Sequence, residues 1–401
     1  MADLIIVGGG LAGVAAAIGA ARQGIKPLLI ERYGFLGGMA TAGLVNPFCH
    51  TLGAGGLYRE LEKKLIKRGV YSERAFCPET LKLILDEWLE EEGVEVLLHA
   101  QLLQVERKAD YIDQIIIAGK GGQSKYRARM YIDATGDGDL SALAGLKMAL
   151  GRAEDELCQP MTTNFQVAGV DSDNLDREQL NRAYSEAKKR GRITNPRENL
   201  LWFRTIHPDV IHFNTTRVVQ KNPLSSVELT QAEQESRRQI GEIVSWLQEE
   251  VEPFKNSYLT KIATQIGVRE SRKLQGSYIL TEEDVLGLHK FPDVIARCSY
   301  SIDIHNPSGT GTRLEGIPYG EWYEIPYRTL HAPEVKNLLL AGRCISATHE
   351  AQASLRIMPT CMVIGQAAGV ALALALEKNC TVQEVPVELL QTILRNWGAE
   401  I

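Results

Sequence analysis

Gly8, Gly10 and Gly13 read G-x-G-x-x-G, and an acid, Glu31, follows them. These residue types at this spacing can hold a diphosphate. The first glycine permits a tight turn, the second lets a pyrophosphate approach the backbone, and the third lets a helix pack close to a sheet. A helix starting behind the turn, with Leu11 before it and Ala12 at its beginning, offers unpaired N–H groups and about half a positive charge to the phosphates. Glu31 stands where a carboxylate accepts from both ribose hydroxyls.

The elements that must position these groups are readable around them. Leu4 to Val7 is a short apolar run, suited to a strand buried on both faces. Ala12 to Gln23 reads as a helix stopped by Gly24, and Pro27 to Ile30 as a second strand that Glu31 closes. A lone glycine fingerprint is a weak signal, and glycines used only for packing are its alternative. In a strand, turn, helix, strand and acid series it reads as dinucleotide binding.

From Glu31-Arg32 the chain enters GFLGGMATAGLV, Gly34 to Val45, which has four glycines and no charge. A loop this flexible costs entropy to order. Leu57, Leu61 and Leu65 then mark an amphipathic helix ending at Gly69, and Glu79 to Glu92 a further helix. Val94 to Leu98 reads as a strand. Leu102–Lys108, Tyr111–Ala118 and Ser124–Ala128 alternate like a three-strand meander, and Met130 to Ala134 is a strand running into ATGDGDLSALAG. A nicotinamide enzyme would usually continue with a helix and another parallel strand instead. Farther on, Asn337 to Ala341 is a strand ending in AGR, and Arg356 to Pro359 leads into a helix containing GQAAG.

This order resembles the glutathione-reductase-type FAD-binding fold in its two-domain form. More narrowly, it resembles the bacterial FAD-dependent oxidoreductase family, whose members carry an L-G-G-x-A-T-x-G-x-V loop after the ribose acid. The resemblance spans residues 1–60, 94–150 and 255–376. It implies an α/β protein: a Rossmann-like FAD-binding domain (parallel sheet plus three-strand meander) and a second, mixed α+β substrate domain. The implied boundaries are 1–154 and 326–380 for the first, 155–325 for the second, and 381–401 for a C-terminal segment. It further implies FAD, held non-covalently. Gly37, Gly38, Met39 and Thr41 belong to the loop over the pyrophosphate and ribityl chain. Thr135 and Gly136 lie beneath the pyrophosphate, Gly342 and Arg343 beside the ribityl phosphate, and Ile357 and Met358 at a helix start facing the flavin pyrimidine. Arg32 and Leu102 complete the implied set. A positive helix end there would stabilise a reduced flavin.

Flavin chemistry needs a donor carbon about 3–3.5 Å from N5 and often a base. His50, in NPFCHTLGAGG, follows the glycine loop and is the first candidate base; a loop histidine bonded to backbone is the alternative. Arg356 is a candidate to hold a carboxylate or an anionic flavin, against an ordinary charged cap. His305 and Tyr327 are weaker candidates. Cys49, Cys344 and Cys361 adjoin cofactor motifs, where burial is expected over a covalent flavin link. Arg269 and Arg272 could bind an anion or sit solvated at a strand edge. No cluster has metal-ligand spacing.

One dinucleotide fingerprint and no CxxC are present, so the electrons are expected from a small-molecule substrate or a redox partner protein. The reading is an FAD-dependent oxidoreductase moving hydride from a small organic substrate to flavin N5. A flavin-bearing electron-transfer subunit working only with a partner is the alternative.

The whole-chain properties agree. At about 100–200 residues per domain, 401 residues suggest two domains. A net charge of −6 without a basic stripe argues against nucleic acid, and so against a nucleic-acid-modifying flavoprotein. Seven widely spaced cysteines suit reduced thiols in a cytoplasmic protein. Leu4 to Ala21 contains five glycines and is only marginal for a bilayer, Met362 to Leu376 is too short for one, and Asp3 stands where a signal peptide needs positive charge. No membrane contact is expected, and no oligomeric state is assigned.

Overall fold

The computed structural model describes residues 2–401. Its centre is a five-stranded parallel sheet in the order Leu338–Leu340, Ala128–Asp133, Ala2–Val7, Pro27–Ile30, Glu95–Leu97. The inner strands are apolar on both faces because both faces are covered. Three antiparallel strands, Gln101–Lys108, Tyr111–Gly119 and Gly122–Tyr126, form the expected meander. Ala128 does not end that meander. It opens the next parallel strand, where it pairs with Ala2.

Two helices with no polar face lie in the middle of the protein. Leu11–Ala21 follows the glycine turn, and Met358–Lys378 returns near the end of the chain. Their backbones touch: a Cβ on Gly365 would stand 2.0 Å from the Ala12 carbonyl oxygen, and one on Gly369 2.0 Å from that of Ala16. The second helix extends beyond the apolar run visible in the sequence. Its 21 residues are long and apolar enough to cross a membrane, and its apolar window is wholly buried inside the protein. Leu57–Lys67 and Pro78–Glu91 cover the outer side, where Arg22 ties them together through Glu60 (2.8 Å) and Glu92 (2.6 Å).

A second core lies around Phe165, Trp202, Phe213, Trp246 and Phe254. Its sheet runs Trp202–Arg204, Ile211–Phe213, Phe165–Ala168, Tyr258–Ile262, backed by Arg177–Lys189 and Ser226–Glu250. Every pairing in it is antiparallel. An antiparallel sheet backed by two helices is an α+β arrangement, as the resemblance implies. Two strand-helix-strand crossovers feed this sheet, through Arg177–Lys189 and through Ser226–Glu250, and each skips one strand, so the strands it joins are not neighbours and every adjacent pair is antiparallel. Strands Val294–Cys298, Ile302–His305 and Tyr323–Pro326 bury their apolar residues in the first core, so the 155–325 stretch divides between the two cores.

Gly369→Ala should therefore destabilise the protein by about 3 kcal/mol, the cost of overpacking a tight helix contact. Gly241, inside Ser226–Glu250, faces open space. Gly241→Ala should be neutral or stabilising by about 0.5–1 kcal/mol. Urea unfolding of both variants checks the contrast.

Candidate functional site

A cavity of about 1830 Å³ opens where the parallel strands end and extends toward the antiparallel sheet. Open α/β sheets bind ligands outside the carboxyl ends of their strands.

The turn after Ala2–Val7 forms one wall. Gly8 has φ +107°, and a Cβ there would sit 2.3 Å from the Ala134 carbonyl oxygen. Gly10, Leu11 and Ala12 line the cavity. Gly13 does not: it lies behind the turn, where a Cβ would strike the Gly8 carbonyl, so its part is helix packing. The Gly34–Val45 loop descends onto the turn. The Gly37 N–H donates to Gly9 O (2.8 Å), and a Cβ on Gly38 would lie 2.9 Å from Gly10 Cα. A 3-10 turn over Gly38–Ala40 then begins on the cavity wall, and the start of such a turn leaves N–H groups without intrahelical partners. Thr41 is off the wall; its hydroxyl donates to Leu36 O (2.6 Å) and fixes the loop from behind. Glu31 lines the cavity while its two carboxylate oxygens accept from the N–H groups of Gly9 (2.6 Å) and Tyr33 (2.9 Å). Arg32 lies over the Tyr33 ring and donates to Gln265 (2.7 Å).

The opposite wall is held by two carboxylates, Asp133 fully buried and Asp137 half-buried. Asp133 accepts from the N–H and hydroxyl groups of both Thr135 and Ser141, which shapes the strand end carrying Thr135 and Gly136. Asp137 pairs with Arg343 (2.7 Å) and accepts from Ser271 (2.6 Å). Burial alone would raise its carboxyl, but these partners outweigh burial and hold it below the usual range. The Nε of Arg343 is buried without a partner, on a side chain that lines the cavity beside Gly342. Ile357 and Met358 also line it, at the start of the long buried helix. That helix start has no side-chain cap and no acid in its first turn, which leaves its free N–H groups without a side-chain partner beside the cavity. Leu102 is elsewhere, packed in the core under the meander.

The far end of the cavity carries the titratable groups. His50 is exposed on the wall and makes no hydrogen bond among the described residues. Asp303 accepts from the Tyr300 hydroxyl (3.3 Å) and faces Arg356 (3.7 Å) and His305 Nε2 (3.6 Å). Burial would raise Asp303, but His305, Arg356 and Arg269 hold it well below the ordinary carboxylate range. Burial, and then the Arg269 charge, push His305 down to about 3. His305 Nδ1 accepts from Arg217 (3.0 Å), so the neutral ring carries its proton on Nε2, toward Asp303. Its lone pair is therefore committed, which argues against His305 as the base. Tyr327 lies away from the cavity, buried, with its hydroxyl on Val382 O (2.7 Å). Arg272 is also off the wall, tied to Asp139 and to the Asp137 carbonyl, whereas Arg269 is on it. Cys49 and Cys361 line the cavity and Cys344 does not; burial pushes the Cys361 thiol up to about 12.

Arg197, Arg217, Glu198, Tyr300 and Asp303 were not singled out by sequence reasoning. They lie in stretches without a motif, and only tertiary packing gathers them.

The model of the FAD dependent oxidoreductase family matches residues 3–394. This chain belongs to that family. Among solved structures, this FAD dependent oxidoreductase is similar to a geranylgeranyl bacteriochlorophyll reductase-like protein from Thermoplasma acidophilum, at 15% identity and a TM-score of 0.51, over 99% of this chain and 84% of that one. It is also similar to CabE, an aromatic hydroxylase from angucycline biosynthesis, at 12% identity and a TM-score of 0.50, over 98% of this chain and 64% of that one. At such identities the likeness shows the fold alone. No curated protein matches in sequence. The cavity fits FAD: Gly8, Gly9, Gly37 and Gly38 leave no room for side chains, Gly10 faces the open cavity, and the unpartnered Arg343 Nε and uncapped Met358 helix start are donors suited to its phosphates and ring.

The buried histidines make a pH prediction. His212, whose two ring nitrogens are buried and unpartnered, is pushed by burial from 6.5 down to about 3. Below about pH 6.5 the unfolded chain takes up a proton that the native ring refuses, so stability falls as pH drops toward 3. His212→Phe should recover about 2 kcal/mol of the loss between pH 7 and pH 5. Parallel melting-temperature curves for the two proteins would contradict this.

Proposed function

We propose that this oxidoreductase removes hydride from a carbon of a small organic substrate held at the His50–Asp303–Arg356 end of the cavity. FAD, bound non-covalently, would supply the acceptor at flavin N5. The observation that carries the reading is continuity: one cavity joins the glycine cradle to a wall bearing a free imidazole, a carboxylate and a guanidinium.

The residues divide the work. The backbones of Gly10, Gly38 and Met39, with Arg343, would hold the phosphates, and Glu31 the ribose. Arg356, with one buried Nε lacking a partner, would orient the substrate. Asp303 stays ionised and, through its own ion pair, sets the Arg356 guanidinium in place. Burial pushes the Tyr300 phenol up, so its hydroxyl remains a donor toward Asp303. His50 takes the substrate proton on its free ring nitrogen; unlike His305, it has no partner to release first. The protonated state of the Cys361 thiol favours a non-covalent cofactor.

The FAD-loaded protein should be mixed anaerobically with amines, alcohols and acids. One class should bleach the visible flavin band, and His50→Ala should slow the bleaching about 10²–10⁴-fold at unchanged flavin content. Bleaching by none of the classes, or at full speed in the variant, contradicts the reading.

A further inference from the structure

The cavity wall carries eight arginines and five carboxylates in a chain whose net charge is −6. The excess is concentrated beside Asp303. Arg197 is 6% exposed, and its Nε donates only to the neutral Asn199 (3.2 Å). Arg269 donates to Pro160 O (2.7 Å), Thr162 (2.6 Å) and Asn214 (3.4 Å), all neutral acceptors. Among the described residues neither forms an ion pair. The nearby carboxylates are already engaged, Glu198 by Arg217 (3.1 Å) and Asp303 by Arg356 (3.7 Å). Four guanidiniums thus meet two carboxylates, because His305 is neutral.

A buried charge without a counter-charge is costly. The field shows in the titrations: burial and the Arg217 charge push Arg197 down to about 10, and burial, Arg356 and Arg197 push Arg269 well below its ordinary value. An incoming anion would relieve that cost, and a planar guanidinium fork matches a carboxylate in two hydrogen bonds.

We infer that the substrate is an organic dianion, a dicarboxylate by the simplest chemistry, whose charged groups are received by Arg197, Arg269 and Arg356. That the anion is the substrate rests on the hydride-transfer reading; that the site takes an anion does not. Two charges match the two uncompensated guanidiniums, whereas a neutral alcohol would leave both unpaired and a cationic amine would be repelled. A phosphate monoester shares this chemistry and is separated from a dicarboxylate by the test.

The FAD-loaded protein is titrated with succinate, inorganic phosphate and the uncharged dimethyl succinate, following the flavin difference spectrum. Succinate should bind saturably and its diester should not. Arg269→Gln and Arg197→Gln should each weaken succinate about 10- to 100-fold at unchanged flavin content. Arg238→Gln, on an exposed residue of Ser226–Glu250, should change nothing. If phosphate binds more tightly and is lost in the same variants, the anion site stands and the dicarboxylate assignment falls. Equal binding of succinate and its diester, or undiminished affinity in both variants, overturns the proposal. Wild-type protein gives a readout that needs no variant: succinate, and not its diester, should protect Arg197 and Arg269 from phenylglyoxal, and absence of protection overturns it. Anion binding without substrate bleaching would instead count against hydride transfer alone.

Discussion

The structure depends on a backbone contact between two buried helices. Gly365 and Gly369 of Met358–Lys378 rest on the carbonyls of Ala12 and Ala16 in Leu11–Ala21, with no space for a side chain between them. This contact joins segments more than three hundred residues apart in sequence. It also sets both helix starts on one cavity, since Leu11, Ala12, Ile357 and Met358 all line it. On the proposed reading one start would face phosphates and the other a flavin ring, and a methyl group at the contact would shift the two cavity walls against each other.

A second close approach completes the cradle. The loop from Gly34 to Val45 has no charge, which makes little sense for an exposed segment. In the structure it lies on the Gly8–Gly10 turn, with Gly37 bonded to Gly9 and Leu36 fully buried beneath. The entropy of ordering its glycines is offset by backbone contact with the turn and by burial of Leu36.

The half of the protein that uses backbone geometry was readable in the sequence. Turn glycines, alanine-rich helices and alternating strands leave local patterns, so the parallel sheet, the meander and the cavity-lining set from Gly8 to Met358 could be placed in advance. Residues acting through side chains at the far end of the cavity could not. Arg197 and Asp303 lie in ordinary-looking stretches, and their meeting depends on tertiary packing that brings the loop before Trp202–Arg204 to the strand Ile302–His305. Thr41, Leu102 and Gly13 illustrate the opposite limit. A motif assigns a segment to a site, but strand and turn geometry decides which of its residues reach the wall, and these face the loop interior, the core and the turn carbonyl.

The two glycine surfaces would form a seat for one FAD. This seat is tested most directly by titrating flavin-free protein with FAD and following flavin fluorescence, for the natural chain and for Gly38→Val. A side chain at Gly38 would meet Gly10, at a residue whose φ is +53°. One equivalent should be bound by the natural chain and released intact on denaturation, and none should be bound by a variant whose circular dichroism is unchanged. Equal uptake by both proteins, or no uptake by either, would contradict this seat.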